Sequence, residues 1–384
     1  MASETTALLA KLVSIPSVNP MGRALDADLI HESRMTDFLE SWFRERGLAC
    51  RRDPVAPGRD NLIARYDAPG SSRLILFDVH QDTVPVDGMT IDPFNPVIEG
   101  GCLHGRGSCD VKGSMAAMMT AFERLTRERP PGSASVVLVF TVDEEFTHMG
   151  ATRLAESRLG ASLAVVAEPT ALDLVDCHKG ALRWLIRTTG TACHSSNPSQ
   201  GANAIYRMAA VVRVLEEHAR ALEAGTPDPA LGPPTLSVGR IKGGQSVNTV
   251  PDECTIEVDR RLVPGETVLD AMGAVRAALD HALGRPDWLE FEKPWVSMPP
   301  LESAAGAFLQ PLQAAVAHAT GRKPKIRGVP FGTDAGPLGA SGVPCVVFGP
   351  GDIAQAHTKD EWIELDQVDQ AALAYYQIAL ELGR

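Results

Sequence analysis

His80, Asp110, Glu145, Glu168 and His357 are the residues of this chain whose types could do chemistry together, two imidazoles and three carboxylates. That mixture suits a divalent cation such as zinc. Apolar runs lead into several of them. Arg73 to Val79 delivers the chain into His80-Gln81-Asp82, Ser135 to Thr141 breaks into Asp143-Glu144-Glu145, and Leu163 to Ala167 stops at Glu168-Pro169. Asp110 precedes Gly113 and an apolar, helix-like segment from Met115 to Leu125. Five ligands exceed what one structural site needs. The natural arrangement is two ions about 3.5–4 Å apart that share a bridging carboxylate, with a water made nucleophilic by its lowered pKa. Asp82, two residues beyond His80, could accept the other imidazole N–H and fix its tautomer. Glu144 is then left over beside a ligand, and a carboxylate that reaches the water without binding metal is the usual general base. Singly, each of these residues also has a plainer reading, as a surface acid or a structural histidine.

Each apolar run reads as a buried strand ending in a ligand, and in open α/β sheets ligands bind outside the carboxyl ends of the strands. Strand and helix patterns alternate as far as Glu168, which predicts a mixed, mostly parallel central sheet flanked by helices. Outer helices are expected at about Ser3 to Val13 and His31 to Arg46, the second with Phe38, Leu39, Trp42 and Phe43 on a broad face and Gly47 as a stop. From about Gly180 the character changes. Ala181 to Thr189, Leu236 to Ile241 and Glu253 to Val263 read as strands, while Gly201 to Leu222 and Glu266 to Leu283 read as helices, together a two-layer α+β unit. Ala304 to Ala319, Val343 to Phe348 and Leu365 to Leu382 then resume helix, strand, helix. The expected organisation is a catalytic domain in two parts, 1–178 and 293–384, with an inserted domain at 179–292.

Composition sets the outer bounds. With 384 residues the chain is long enough for two domains, and its hydrophobic fraction of 44% is ordinary for a globular protein. A formal net charge of -12 argues against a nucleic-acid partner, because phosphate binding relies on clustered Lys and Arg. No run of about twenty apolar residues offers a membrane span. Met1 to Ile15 mixes Glu4 and Lys11 into a helical pattern without the marks of a secretion signal, so a cytoplasmic location is expected. The seven cysteines are odd in number and form no CxxC, which suggests neither a disulfide framework nor a thiolate zinc site. Cys109, beside Asp110, either packs as a small residue or touches a metal.

Taken together, His80-Gln81-Asp82-Thr83-Val84-Pro85, Gly105-Arg106-Gly107-Ser108-Cys109-Asp110-Val111-Lys112-Gly113 and Asp143-Glu144-Glu145 resemble the motifs of the dinuclear zinc hydrolases that include acetylornithine deacetylase, succinyl-diaminopimelate desuccinylase, aminoacylase and glutamate carboxypeptidases. The resemblance extends through Ala167 to Thr170, His178-Lys179-Gly180, His194-Ser195-Ser196, Gly332-Thr333-Asp334-Ala335-Gly336 and Gly349 to Glu361, so it runs nearly end to end. It implies a zinc exopeptidase-like fold and two divalent ions, zinc with cobalt as an alternative. His80 and Glu168 would bind one ion and Glu145 and His357 the other, with Asp110 bridging, Glu144 as base and Asp82 in support. It also implies a cis peptide at Asp110-Val111, and that the inserted domain is a lid and homodimerisation domain. His194 then looks like the residue that reaches across the dimer to polarise the scissile carbonyl, with Asn248 as its companion. Arg261 resembles the clamp on a substrate α-carboxylate, Arg260 being the second choice and an ion pair to Asp259 or Glu257 the plainer reading. Thr333 is a further substrate-binding candidate. Within the family the likeness is greatest to acetylornithine deacetylase, which implies a small N-acyl-amino acid as substrate. A desuccinylase or a glutamate carboxypeptidase is the sibling reading. A silent, metal-stabilised binding protein is the remote one, and it would have lost a ligand or the base, whereas every such position is filled.

Overall fold

In the computed structural model, which describes Ser3–Gly383, the chain forms two compact units. The first takes the chain as far as Cys177, then Ser303–Gly328, then everything from Thr333 onward; the second is His178–Glu302 with Val329–Gly332. The second unit extends beyond the expected limit of 292 because Val296–Met298 is a strand paired antiparallel to Gly180–Thr189, a short segment that the prolines around it hide from pattern reading.

An eight-stranded sheet dominates the first unit. Its centre is parallel: Ser135–Thr141, Leu74–His80, Leu163–Val166 and Cys345–Val347 lie side by side in one direction. The register Leu74↔Ser135 through His80↔Thr141 brings the first two to the same level, so the loops after them start together. The flanks are antiparallel, which makes the sheet mixed as expected. Arg59–Tyr66 runs antiparallel to both Ser135–Thr141 and Cys50–Ala56, and Val347 pairs antiparallel with Val175. Cys50–Ala56 escapes sequence reading because it is a charged edge strand with Pro54 in it, polar where a core strand would be apolar.

The central strands are buried on both faces, which is why they read as unbroken apolar runs rather than alternating ones. Helices Glu4–Val13, Ser33–Glu45, Gly113–Glu128, Gly306–Thr320 and Leu365–Glu381 share their core. Phe43 meets Phe122 and Phe140 edge-on at 5.8 Å each, and Tyr375 packs on Phe77 and Phe348 at 5.4 Å. Each buried ring contributes about 1.5–3 kcal/mol through burial. The sheet is thereby a rigid base for the loops at its ends.

The second unit is a sheet ordered Thr235–Gly243, Glu253–Leu262, Gly180–Thr189, Leu289–Phe291, each strand antiparallel to its neighbour. Along Gly180–Thr189 burial alternates: Leu182, Trp184 and Ile186 turn inward, Arg183 and Arg187 outward. Helices Ala204–Glu223 and Val268–Leu283 cover the inward face through Met208, Val211, Leu215, Val275 and Leu279. Both begin at a side-chain cap, Asn203 accepting from the backbone of Ile205 and Tyr206, and Thr267 from that of Asp270. Among the described residues, no helix is long and apolar enough to cross a membrane.

Candidate metal centre and its surroundings

Four chain segments meet at the carboxyl ends of the parallel strands in the first unit. His80 ends its strand, Glu145 and Glu168 follow theirs closely, and His357 comes from the loop after Cys345–Val347. Asp110 lies in an irregular turn, Ser108–Lys112, that precedes helix Gly113–Glu128. Two ligand clusters result, His80 with Asp110 and Glu168, and Asp110 with Glu145 and His357. Asp110 belongs to both. Its Oδ1 is 3.1 Å from His80 Nε2 and its Oδ2 is 3.2 Å from His357 Nε2. His357 Nε2 is also 3.1 Å from Glu145 Oε2, and His80 Nε2 is 3.9 Å from Glu168 Oε1. The Asp110-Val111 peptide is cis, as the resemblance implies.

The electrostatics suit a cation. Burial pushes the carboxyls of Glu145 and Glu168 upward, that of Glu168 well above its ordinary range, and Asp110 adds to both shifts. For His357, burial works against protonation, but the hydrogen bonds to Asp110 and Glu145 outweigh it and push the imidazole up to about 11. Asp110 itself is held well below its ordinary value, because its bonds to His357 and His80 overcome the cost of burial. Three acids and the His80 imidazole thus crowd one largely buried place, with His357 half exposed beside it, and Glu145 Oε1 has no hydrogen-bond partner there. A buried, unpaired carboxylate oxygen is costly, and divalent cations at the two clusters fit it and the donor set.

The surroundings correct one expectation. Asp82 does not hold His80 through its carboxylate, which lies 3.7 Å from Nδ1; the Asp82 carbonyl oxygen, at 2.9 Å, receives that N–H. The tautomer follows all the same, with Nε2 turned to the cluster. The Asp82 carboxylate is occupied elsewhere, accepting the backbone N–H groups of Glu144 and Glu145 at 3.2 Å each and the Asn19 amide at 2.8 Å. Asn19 also donates to Asp143 at 2.9 Å, and Asp143 in turn receives Arg59, which is ion-paired with Glu32. This buried network fixes the turn that carries Glu144, in which Asp143 (φ 67) and His148 (φ 57) take left-handed conformations rare for residues other than glycine. On the other side Glu361 accepts the N–H groups of Gly107, Cys109 and Asp110 and pairs with Arg106, so it aims the Asp110 loop. Cys109 points its thiol at the Asp352 carbonyl at 3.3 Å and belongs to neither cluster.

Asn19, Glu32 and Arg59 were not legible as site residues, since each acts over more than twenty positions of chain. Glu144 is buried beside Glu145, and burial pushes its carboxyl well above its ordinary value. Thr333, fully buried, caps the turn into helix Ala335–Ala340 by accepting from Ala335 N at 3.1 Å. His194, Asn248 and Arg261 belong to the second unit. There the ladder His194↔Thr249 sets His194 beside Asn248, and both are exposed. Arg261 is ion-paired with Asp259 at 2.8 Å and is partly exposed, whereas Arg260 is buried and committed to Glu266.

Comparison with known proteins agrees with this geometry. The profile of peptidase family M20/M25/M40 matches residues 76–381. An acetylornithine deacetylase of Edwardsiella ictaluri is 31% identical over 370 residues, 94% of this chain and 93% of that protein. Among solved structures, the M20 family metallo-carboxypeptidase Sso-CP2 of Sulfolobus solfataricus superposes with a TM-score of 0.81 at 18% identity, over 99% of each chain. The Bacillus subtilis YXEP protein, a dinuclear metal binding peptidase, gives 0.70 at 17% identity over 98% of this chain and 97% of its own. Fold, paired ligand clusters and relatives together define a metal-dependent hydrolase. Within that class, the chain belongs to peptidase family M20/M25/M40.

Proposed function

We propose that the protein is an amidohydrolase that removes the acyl group from an N-acyl-amino acid, in the manner of an acetylornithine deacetylase, with two zinc ions at the paired clusters and cobalt as a competent substitute. The observation that carries this reading is the division of Asp110, one carboxylate oxygen facing the His80 and Glu168 cluster and the other facing Glu145 and His357. Bound there, the ions would polarise the scissile carbonyl and make a water acidic enough to attack it. Glu144 takes the proton from that water and returns it to the leaving amine, a task that burial favours by pushing the carboxyl above its ordinary value and so making the carboxylate a stronger base. Asp82 supports it by holding the Glu144 and Glu145 backbone.

The second unit supplies substrate contacts in a homodimer. His194 Nδ1 is engaged by Ser196, its backbone N–H at 3.2 Å and its hydroxyl at 2.7 Å, which leaves Nε2 as the ring nitrogen to face an oxyanion. Asn248 assists it, Arg261 clamps the substrate carboxylate and Thr333 adds a contact from the first unit. All seven cysteines are free, in keeping with a reducing, cytoplasmic setting. The relative's name is the support for acetylornithine as substrate. The test is turnover by zinc- or cobalt-loaded protein of N-acetyl-L-ornithine, other N-acetylamino acids, N-succinyl-diaminopimelate and dipeptides. Preference for N-acetyl-L-ornithine is expected; equal low rates on all of them refute the assignment, and preference for a succinylated substrate or a peptide moves it to a sibling activity.

A further inference from the structure

The first unit contains a third buried cluster, Glu144, His148 and Asp334, which the ligand sets do not use. Glu144 and His148 ride on one turn. The His148 N–H closes it onto the Asp143 carbonyl at 2.7 Å, and Gly150 N continues it onto Val142 O at 3.0 Å. The turn puts the imidazole back over the glutamate, with Nδ1 3.6 Å from Glu144 Oε1. The same Nδ1 is 3.0 Å from Asp334 Oδ1, and Asp334 Oδ2 accepts the Thr141 hydroxyl at 2.9 Å. Thr141 ends a central strand and Asp334 begins helix Ala335–Ala340, so the ring is held from two rigid elements.

Among the described residues, His148 is the ion-pair partner of the Glu144 side chain. A base that must face both an attacking water and a departing amine needs its carboxylate kept in one orientation, and a ring fixed from behind does this. We propose that His148, anchored by Asp334, is a positioning residue for the Glu144 carboxylate. Its charge agrees with that role: burial disfavours protonation, yet the carboxylates of Glu144 and Asp334 overcome it and push the imidazole up to about 9, so a cation faces the base at neutral pH. The inference rests on Glu144 being the base.

A double-mutant cycle tests it on zinc-loaded, full-length protein. His148→Ala should lower kcat by about 10- to 100-fold with KM and metal content unchanged, the range usual for a residue that orients a catalytic group. Asp334→Asn should lower kcat in the same direction, and His148→Gln, which keeps an N–H for Asp334, should fall between wild type and His148→Ala. In the Glu144→Gln background, His148→Ala should cost nothing further, because the group it positions is gone. The proposal is overturned if His148→Ala is as fast as wild type, or if it slows Glu144→Gln by the same factor as wild type. Should His148→Ala fail to fold, His148→Gln and Asp334→Asn decide; loss of metal from both, in proportion to activity, makes the cluster structural and also overturns it. A fully active Glu144→Gln removes the base assignment itself, an outcome separate from the others.

Discussion

Glu361 offers a magnitude that can be worked from its contacts. It is fully buried, receives Arg106 Nη1 at 2.6 Å, and accepts the backbone N–H groups of Gly107, Cys109 and Asp110 at 3.0, 2.9 and 3.0 Å. Glu361→Gln keeps the shape but places an NH2 where two kinds of donor already point. Either the Arg106 charge or the backbone donors lose an acceptor, and Arg106 is only 3% exposed. Breaking a buried pair by removing one partner costs about 3–5 kcal/mol. With a urea m-value of roughly 3 kcal/mol/M, the unfolding midpoint of the first unit should fall by about 1–1.7 M. The assay is urea unfolding of metal-loaded protein, followed by tryptophan emission, to which Trp42 and Trp362 contribute from the first unit. The Asp110 loop hangs from the same carboxylate, so metal affinity should fall together with stability. Arg106→Met in the Glu361→Gln background should restore part of the loss, because the unpaired charge goes with it. A midpoint within about 0.3 M of wild type for Glu361→Gln alone, well inside the expected shift, would refute the reasoning.

Other outcomes follow from the same contacts. Glu144→Gln should keep metal content near normal and cut turnover by about 10² or more, while Glu145→Gln should lower occupancy at one cluster; equal metal loss in both, by elemental analysis, contradicts the division of roles. Gly150→Ala should destabilise the first unit by about 1–3 kcal/mol, a common cost of overpacking, and disturb the Glu144 turn. The reason is that a Cβ there meets Val142 O at 2.4 Å and Val142 N at 2.5 Å; unchanged urea stability and kcat refute it. Mixing His194→Ala with Glu144→Ala subunits under exchange should return about a quarter of wild-type activity if His194 acts across a closed twofold dimer. A mixture that stays inactive despite demonstrated exchange places His194 outside catalysis in trans.

The strands that deliver His80, Glu145 and Glu168 were legible because a strand buried on both faces must be apolar throughout and must end where its ligand begins. Asp110 and His357 lie on irregular backbone with no periodicity to read, so residue type alone makes them candidates and the motif resemblance is what gives them their roles. The orienting groups were largely hidden. Asn19, Glu32 and Arg59 act on Asp82 and Asp143 across long stretches of chain, and nothing local marks them. His80 shows a subtler limit: the spacing to Asp82 was informative, but the atom that meets the ring is the carbonyl, because the chain turns immediately after the strand. His148, four residues beyond Glu144, did carry a weak signal in that spacing, which becomes a contact only through the left-handed turn.

The central claim is that Asp110 is shared between two metal sites, and binding stoichiometry tests it most directly. Demetallated protein titrated calorimetrically with zinc, with elemental analysis of the product, should take up two ions per chain. His80→Ala and His357→Ala should each lose one of them, and Asp110→Asn should weaken both. Uptake of a single ion by the wild type, or an Asp110→Asn variant that keeps one site at full affinity, would contradict the account.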